Sequence, residues 1–159
     1  MIKAIYPGTF DPITIGHLDI ISRASKMYDK LVVAVMDNPA KNCTFTKEER
    51  IEMIKKCVKN YKNVEVVLGE GLTVDFAKKM NCKVIVRGIR AVSDYEYELA
   101  QATANMTLNN DIETSFLVAK PELSFLSSSI AKEIAKFNGD IKPYIPKPII
   151  KEVSKKLYR

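Results

Sequence analysis

Tyr6-Pro7-Gly8-Thr9-Phe10-Asp11-Pro12-Ile13-Thr14-Ile15-Gly16-His17 joins an apolar run to a helical pattern. Residues 2–7 read as a buried strand. From residue 16 to 28, Leu18, Ile21, Ala24 and Tyr28 recur at helical spacing. Between strand and helix stand two glycines, Gly8 and Gly16, which allow a ligand close to the backbone. The helix start offers free N–H groups and a partial positive charge, the setting in which anions bind. His17 is the only histidine of the chain, and at that helix start it would add a charge-assisted donor to an anion. The stretch is neither a Walker A loop nor a G-x-G-x-x-G fingerprint. On residues alone, a plain strand-to-helix turn with a capping histidine stays open beside the anion site.

The alternation continues beyond this segment. Residues 31–36 are a continuous apolar strand, followed by a turn at Asn38-Pro39. Thr46-Lys47-Glu48-Glu49 is a capping box opening a helix with Ile51, Ile54 and Val58 on one face. Further strands are expected at 64–68, 83–86 and 113–118, the fourth ending at Arg87-Gly88. Helices are expected over 72–80, 94–108, from Ser127 to a left-handed C-cap at Gly139, and over 146–157. Buried strands alternating with amphipathic helices imply one α/β domain spanning 1–159. It would be Rossmann-like, a parallel five-stranded sheet with helices on both faces. Ligands of such sheets bind beyond the carboxyl ends of the strands. The unusual segments fall there: Gly8–His17, Asn38–Lys41, Gly71–Thr73, Arg87–Arg90 and Ser124–Ser129.

Composition narrows the classes. The 159 residues suit one domain, and 47% hydrophobic with 28% charged suits a packed core. No apolar run approaches the roughly 18 residues of a membrane span, and the N-terminus lacks a signal-peptide layout, so a cytoplasmic protein is expected. Cys43, Cys57 and Cys82 form no disulfide or zinc pattern. The net charge of +6 comes mainly from scattered lysines, with no basic stripe or RNA-binding motif, which argues against a nucleic-acid module. Arginine is scarcer: Arg23, Arg50, Arg87, Arg90 and Arg159. Two of the five follow one apolar strand, where their forks suit phosphate.

The motifs resemble a known family. Gly8-Thr9-Phe10-Asp11-Pro12 with Thr14-x-Gly16-His17 is similar to the T-x-G-H signature of the nucleotidyltransferase superfamily. Ser127-Ser128-Ser129-x-x-Lys132 is similar to its second signature. Thr14, where many cytidylyltransferases have histidine, together with Arg87-Gly88-Ile89-Arg90-Ala91 and Asp94-Tyr95-Glu96-Tyr97-Glu98, resembles the bacterial phosphopantetheine adenylyltransferase family. The likeness runs from Ile5 to about Lys147. Leu123, where many members have tryptophan, and Lys132, where related superfamilies often have arginine, depart from it.

The resemblance implies reversible transfer of AMP from ATP to 4′-phosphopantetheine, giving dephospho-coenzyme A and pyrophosphate. This is the penultimate step of coenzyme A synthesis, and magnesium would be held mainly by the ATP phosphates. It implies a catalytic set of His17, Thr9, Lys41 and Arg90. The ATP site would comprise Thr9, Phe10, His17, Gly88, Ile89, Arg90, Glu98, Leu123, Ser124, Phe125, Leu126 and the Ser127–Ser129 turn. Thr9, Lys41, Thr73 and Arg87 would bind the acceptor. It also implies a homohexamer and coenzyme A as a feedback inhibitor. The acceptor phosphate is already ionised near pH 7, so one histidine and no catalytic dyad suffice.

Structural rivals stand beside these roles. Lys41 could be one more surface lysine, and Glu98 could pair with another. Ser127 to Ser129 could be only an N-cap. Arg87 and Arg90 could form ion pairs with Asp94 or Glu96, and Tyr95 and Tyr97 read as packing residues. A glycerol-3-phosphate cytidylyltransferase or a nicotinate-mononucleotide adenylyltransferase is the nearest alternative activity.

Overall fold

The computed structural model describes residues 1–38 and 40–158. Pro39 of the expected Asn38-Pro39 turn and Arg159 lie outside the described residues. Five parallel strands form one sheet: β1 (Lys3–Gly8), β2 (Lys30–Met36), β3 (Val64–Gly69), β4 (Val84–Ile89) and β5 (Glu113–Val118). Their order is β3-β2-β1-β4-β5. The chain winds outward from β1 in one direction and then, with β4, in the other. The loops after β1 and β4 therefore part to opposite faces and open a crevice between them.

Among the described residues, six α-helices cover the sheet: α1 (Ile15–Met27), α2 (Lys47–Val58), α3 (Thr73–Lys79), α4 (Val92–Leu108), α5 (Ser128–Lys136) and α6 (Ile150–Leu157). Strand alternation divides the core between the two faces. Ala4, Tyr6, Leu31, Val33, Val35 and Val86 point to one side, packing with Ile21, Ala24, Met53, Ile54, Ala131 and Val153 of α1, α2, α5 and α6. Ile5, Val32, Ala34 and Ile85 point to the other, packing with Val74, Phe76 and Ala77 of α3. Residues 31–35 of β2 are all fully buried, as a central parallel strand requires.

Element ends follow local chemistry. Thr14 and Thr46 cap α1 and α2, each closing a capping box with the residue three positions on, His17 and Glu49. Several boundaries shift by a residue or two, α4 for one starting at Val92 rather than 94, and three differ in a way that bears on the packing. Strand β4 does not end at Arg87-Gly88 but continues to Ile89, because Arg87, Gly88 and Ile89 pair with Phe116, Leu117 and Val118. The last helical segment divides into a 3₁₀ turn, Lys147–Ile149, and α6. The left-handed residue after α5 is Asn138 (φ 58°), not Gly139. Gly139 serves close packing instead: a Cβ there would lie 2.7 Å from the Ile134 side chain and 3.1 Å from its carbonyl oxygen.

Candidate active site

At the carboxyl ends of the strands lies a cleft of about 1080 Å³. Its lining brings together Thr9, Phe10 and His17 from the β1–α1 turn, Lys41 after β2, and Thr73 at the start of α3. Arg87, Gly88 and Arg90 come from the end of β4, Glu98 from α4, and Leu123, Leu126, Ser127, Ser128 and Ser129 from the entry to α5. Ile89, Ser124 and Phe125 stand outside that lining. Ile89 is buried and its carbonyl accepts from Ala119 N–H. The Ser124 hydroxyl donates to the Pro121 carbonyl, and Phe125 packs edge-on against Tyr144.

The floor is the β1–α1 turn. Phe10 adopts φ 51°, a left-handed conformation that costs a bulky side chain about 1–3 kcal/mol. The fold uses it to turn the ring back beneath the site, edge-on to Tyr6 (5.4 Å) and His17 (5.1 Å). Gly8 is needed for that ring rather than for a ligand, since a Cβ on it would meet Phe10 at 2.8 Å. A Cβ on Gly16 would meet only ordinary contacts.

His17 is tied into its helix cap. Its Nδ1 accepts the Thr14 backbone N–H at 3.0 Å and lies 3.0 Å from the Thr14 hydroxyl. With Nδ1 accepting, the proton of the neutral ring sits on Nε2. Burial, then the positive charges of Arg90, Arg87 and Lys41, push the His17 pKa down to about 4. Near pH 7 it is therefore a neutral N–H donor, not the charge-assisted donor expected from its helix position alone. The same three cations bring positive charge close to His17, although the lining as a whole balances Asp11, Asp37, Asp94 and Glu98 against Lys41, Arg87, Arg90 and Lys132.

The two arginines of β4 are held differently. Arg87 donates from Nε and Nη2 to Glu98 at 2.7 and 2.6 Å, and from Nη1 to the Pro7 carbonyl at 2.8 Å. Three of its five N–H groups are thus used, leaving one on each terminal nitrogen. Glu98 is buried, and both its oxygens serve Arg87, so its partner is neither a surface lysine nor solvent. Arg90 is more exposed. It pairs with Asp94 through Nε at 3.0 Å and Nη2 at 3.2 Å, while Nη1 donates to the Leu126 carbonyl at 3.1 Å. Burial alone would raise the Asp94 pKa, but its hydrogen bonds to Arg90 outweigh that and hold it low.

The three serines part company. Ser127 caps α5, accepting from Ile130 N–H, and the Ser128 hydroxyl donates to the Pro12 carbonyl at 2.7 Å. Ser129 makes no side-chain hydrogen bond among the described residues and lines the cleft. Lys41 is exposed, and Thr73 is half-buried in the first turn of α3. Tyr97 lines the cleft and is largely exposed, so it does not pack as expected, whereas Tyr95 meets Phe116 edge-on at 5.9 Å.

Two buried charges beside the cleft escaped the sequence reading, Asp11 and Arg50. Nothing local marks a helix arginine as inward-facing. Only tertiary packing turns it under the β1–α1 turn, where it donates to the Thr9 carbonyl at 2.8 Å.

Residues 5–134 match the cytidylyltransferase-like family. Phosphopantetheine adenylyltransferase from Nautilia profundicola is 51% identical over 151 residues, covering 95% of this chain and 98% of that protein. The enzyme of that name from Clostridium botulinum (strain Alaska E43 / Type E3) is 53% identical over 150 residues, 94% of either chain. The chain belongs to the phosphopantetheine adenylyltransferases. A solved structure of Plasmodium falciparum nicotinic acid mononucleotide adenylyltransferase complexed with NaAD superposes with a TM-score of 0.70 at 18% identity, covering 98% of this chain and 97% of that one. That likeness speaks for the shared Rossmann-like fold alone. Among the described residues, no helix is long and apolar enough to cross a membrane.

Proposed function

We propose that this cleft transfers the AMP moiety of ATP to the phosphate of 4′-phosphopantetheine, releasing pyrophosphate and forming dephospho-coenzyme A, reversibly. The observation that carries the reading is the convergence of His17, Lys41, Arg87, Arg90 and the α5 N-terminus, all donors suited to phosphate, on one cleft in a chain of this family. The acceptor phosphate attacks the α-phosphorus in line, with no covalent intermediate, so the protein's work is alignment and charge stabilisation. His17 Nε2–H donates to the α-phosphate, where charge builds. Thr9 bridges the two substrates. Lys41 and the two free N–H groups of Arg87 take the acceptor phosphate, with Glu98 fixing the plane of the guanidinium. Arg90, the Ser129 hydroxyl and the first N–H groups of α5 take the triphosphate tail, and Thr73 meets the pantetheine arm.

The Asp11, Asp37, Asp94 and Glu98 carboxylates that line the cleft are each ion-paired, with Lys132, Lys47, Arg90 and Arg87. They make a poor ready-made ligand set for a divalent cation. Magnesium accordingly enters as the ATP complex, held by phosphates and water. Assembly as a homohexamer is supported by exposed apolar residues along α4, among them Val92, Leu99 and Met106. Light scattering after size exclusion tests it, and a monomer at micromolar concentration refutes it. Coenzyme A, which shares the pantetheine arm and adenylate of the product, competes for the same cleft.

The deciding assay is pyrophosphate release. Turnover is expected with ATP and 4′-phosphopantetheine, and not with CTP and glycerol phosphate or ATP and nicotinate mononucleotide. Release with either of the latter pairs, and none with the former, overturns the proposal.

A further inference from the structure

The β1–α1 turn carries Thr9 and His17, and the connection from β2 to α2 carries Lys41. Their backbones are held together by side chains, in both directions. From the turn, the Asp11 carboxylate accepts Thr44 N–H at 2.9 Å and Phe45 N–H at 2.8 Å. From α2, Arg50 Nη1 donates to the Thr9 carbonyl at 2.8 Å and its Nε to the Thr46 carbonyl at 3.3 Å. The same Asp11 oxygen that meets Thr44 also accepts Lys132 Nζ at 2.7 Å, on the second turn of α5 beside Ser129. Asp11 is 4% and Arg50 2% exposed.

Burying charge is costly, and an apolar side chain would pack α2 on the sheet without that cost. Arg50 has no carboxylate within 4.0 Å among the described residues, so it does not repay the cost by an ion pair. Apart from the Lys132 ammonium that pairs with Asp11, what both charges hold is backbone, and in each case it is backbone of a segment that carries a cleft residue. Thr44 lies three residues after Lys41, so the peg stands within roughly 11 Å of the Lys41 Cα, at about 3.8 Å per residue.

We propose that Asp11 and Arg50 are positioning residues: a reciprocal clamp that sets the spacing between Thr9 and His17 on one side of the cleft and Lys41 on the other, with α5 locked to it through Lys132. Arg50 lies outside the cleft lining, and although Asp11 lines it, both its oxygens are taken by Thr44, Phe45 and Lys132, so both act through the groups they hold. The clamp fixes where the acceptor phosphate stands relative to the α-phosphorus, and a misplacement of about 1 Å can cost about 10²-fold in rate. The inference rests on the adenylyl-transfer reading, so its test includes one readout independent of turnover.

Asp11→Asn, Asp11→Glu and Arg50→Lys are compared with the natural chain. The assays are pyrophosphate release from ATP and 4′-phosphopantetheine, ATP titration by calorimetry, thermal melting, and amide hydrogen exchange across residues 41–46. The glutamate keeps the charge facing Lys132 but shifts the carboxylate by one methylene. The lysine keeps the charge of Arg50 but shortens its reach. Expected are kcat lower by about 10²-fold in the Asp11 variants and about tenfold in Arg50→Lys, with the ATP Kd within about threefold. Exchange at Thr44 and Phe45 should quicken at least tenfold in the Asp11 variants. Should Asp11→Asn not fold, Asp11→Glu and Arg50→Lys decide. Folded variants with kcat within threefold of the natural chain overturn the clamp. So does unchanged exchange at Thr44 and Phe45, or a loss of ATP affinity that parallels kcat. If the natural chain releases no pyrophosphate, the adenylyl-transfer reading falls, and hydrogen exchange alone still decides whether Asp11 holds the loop.

Discussion

The floor and the rim of the cleft are built on opposite terms. On the floor, Tyr6, Phe10, Asp11 and Thr14 are all at most 6% exposed, and each is tied to its neighbours by ring contacts or hydrogen bonds. At the rim, Lys41 is exposed, and beside it Asn38 accepts the Ala40 N–H through its side chain and the Lys41 N–H through its carbonyl. A floor residue therefore serves fold and chemistry together, and a rim residue serves chemistry alone. Mutations on the floor should move stability and turnover at once, while rim mutations should separate them.

His17 puts the first half of that contrast to its hardest test. His17→Ala should lower kcat by about 10²–10³-fold with ATP affinity nearly kept, as expected when a donor to developing charge is lost. It should also cost about 0.3–1.5 kcal/mol in denaturant melts, because the side chain closes the capping box with Thr14. Glutamine suits that third helical position. His17→Gln should accordingly regain the stability and not the turnover. A glutamine variant with near-normal turnover would sink the chemical role, and an alanine variant with unchanged stability would sink the structural one.

Glu98→Gln comes next in size. It leaves Arg87 with one neutral acceptor in place of a carboxylate that took two of its N–H groups. The KM for 4′-phosphopantetheine should rise about tenfold as the fork loses its fixed plane, with the ATP KM changing little. If the ATP KM rises instead, the division of labour between Arg87 and Arg90 is wrong.

This contrast also marks how far the sequence could be read. The strand and helix pattern, the parallel sheet and most of the cleft lining were legible, because buried strands, capping boxes and strand-to-helix glycines announce themselves over a few residues. The inward turn of Arg50, the left-handed Phe10 and the use of Gly8 to seat a ring were not, since each depends on what lies across the fold. The extension of β4 to Ile89 escaped for the same reason: a strand ends where its partner stops, and the partner is β5, which pairs with it from 29 residues on. The neutral state of His17 needed the positions of Arg90, Arg87 and Lys41 around it. Helix position alone suggested a charge, and the burial that removes it is a tertiary fact.

That neutral state has a measurable sign. The folded His17 titrates at about 4, below the usual 6.5 of the unfolded chain. Between those values the unfolded state binds more protons, so the contribution of His17 to stability is complete above pH 6.5 and is lost as pH falls toward 4. Asp11, also held below its ordinary range, adds its loss at the acid end. Denaturant melts from pH 7 to 4 should show this decline, and His17→Ala should flatten its upper part. A variant curve parallel to that of the natural chain would mean that His17 is not buried neutral.

The smallest expected change in stability is at Lys41, and it is the one that separates the two regions. Its side chain is exposed and makes no hydrogen bond or ion pair among the described residues, so Lys41→Met removes charge and nothing that holds the fold. Stability should stay within about 0.5 kcal/mol. Turnover should not stay put, because Lys41 contributes to the positive field at His17 and stands where the acceptor phosphate must pass. The KM for 4′-phosphopantetheine should rise about tenfold, and more steeply at low salt, where an exposed charge reaches further. His17 would respond as well: with one neighbouring cation gone, its pKa should move up from about 4, detectable by NMR titration of this single histidine. A Lys41→Met variant that melts several degrees lower would place Lys41 among the residues that hold the fold, and the line between floor and rim would have to be drawn elsewhere.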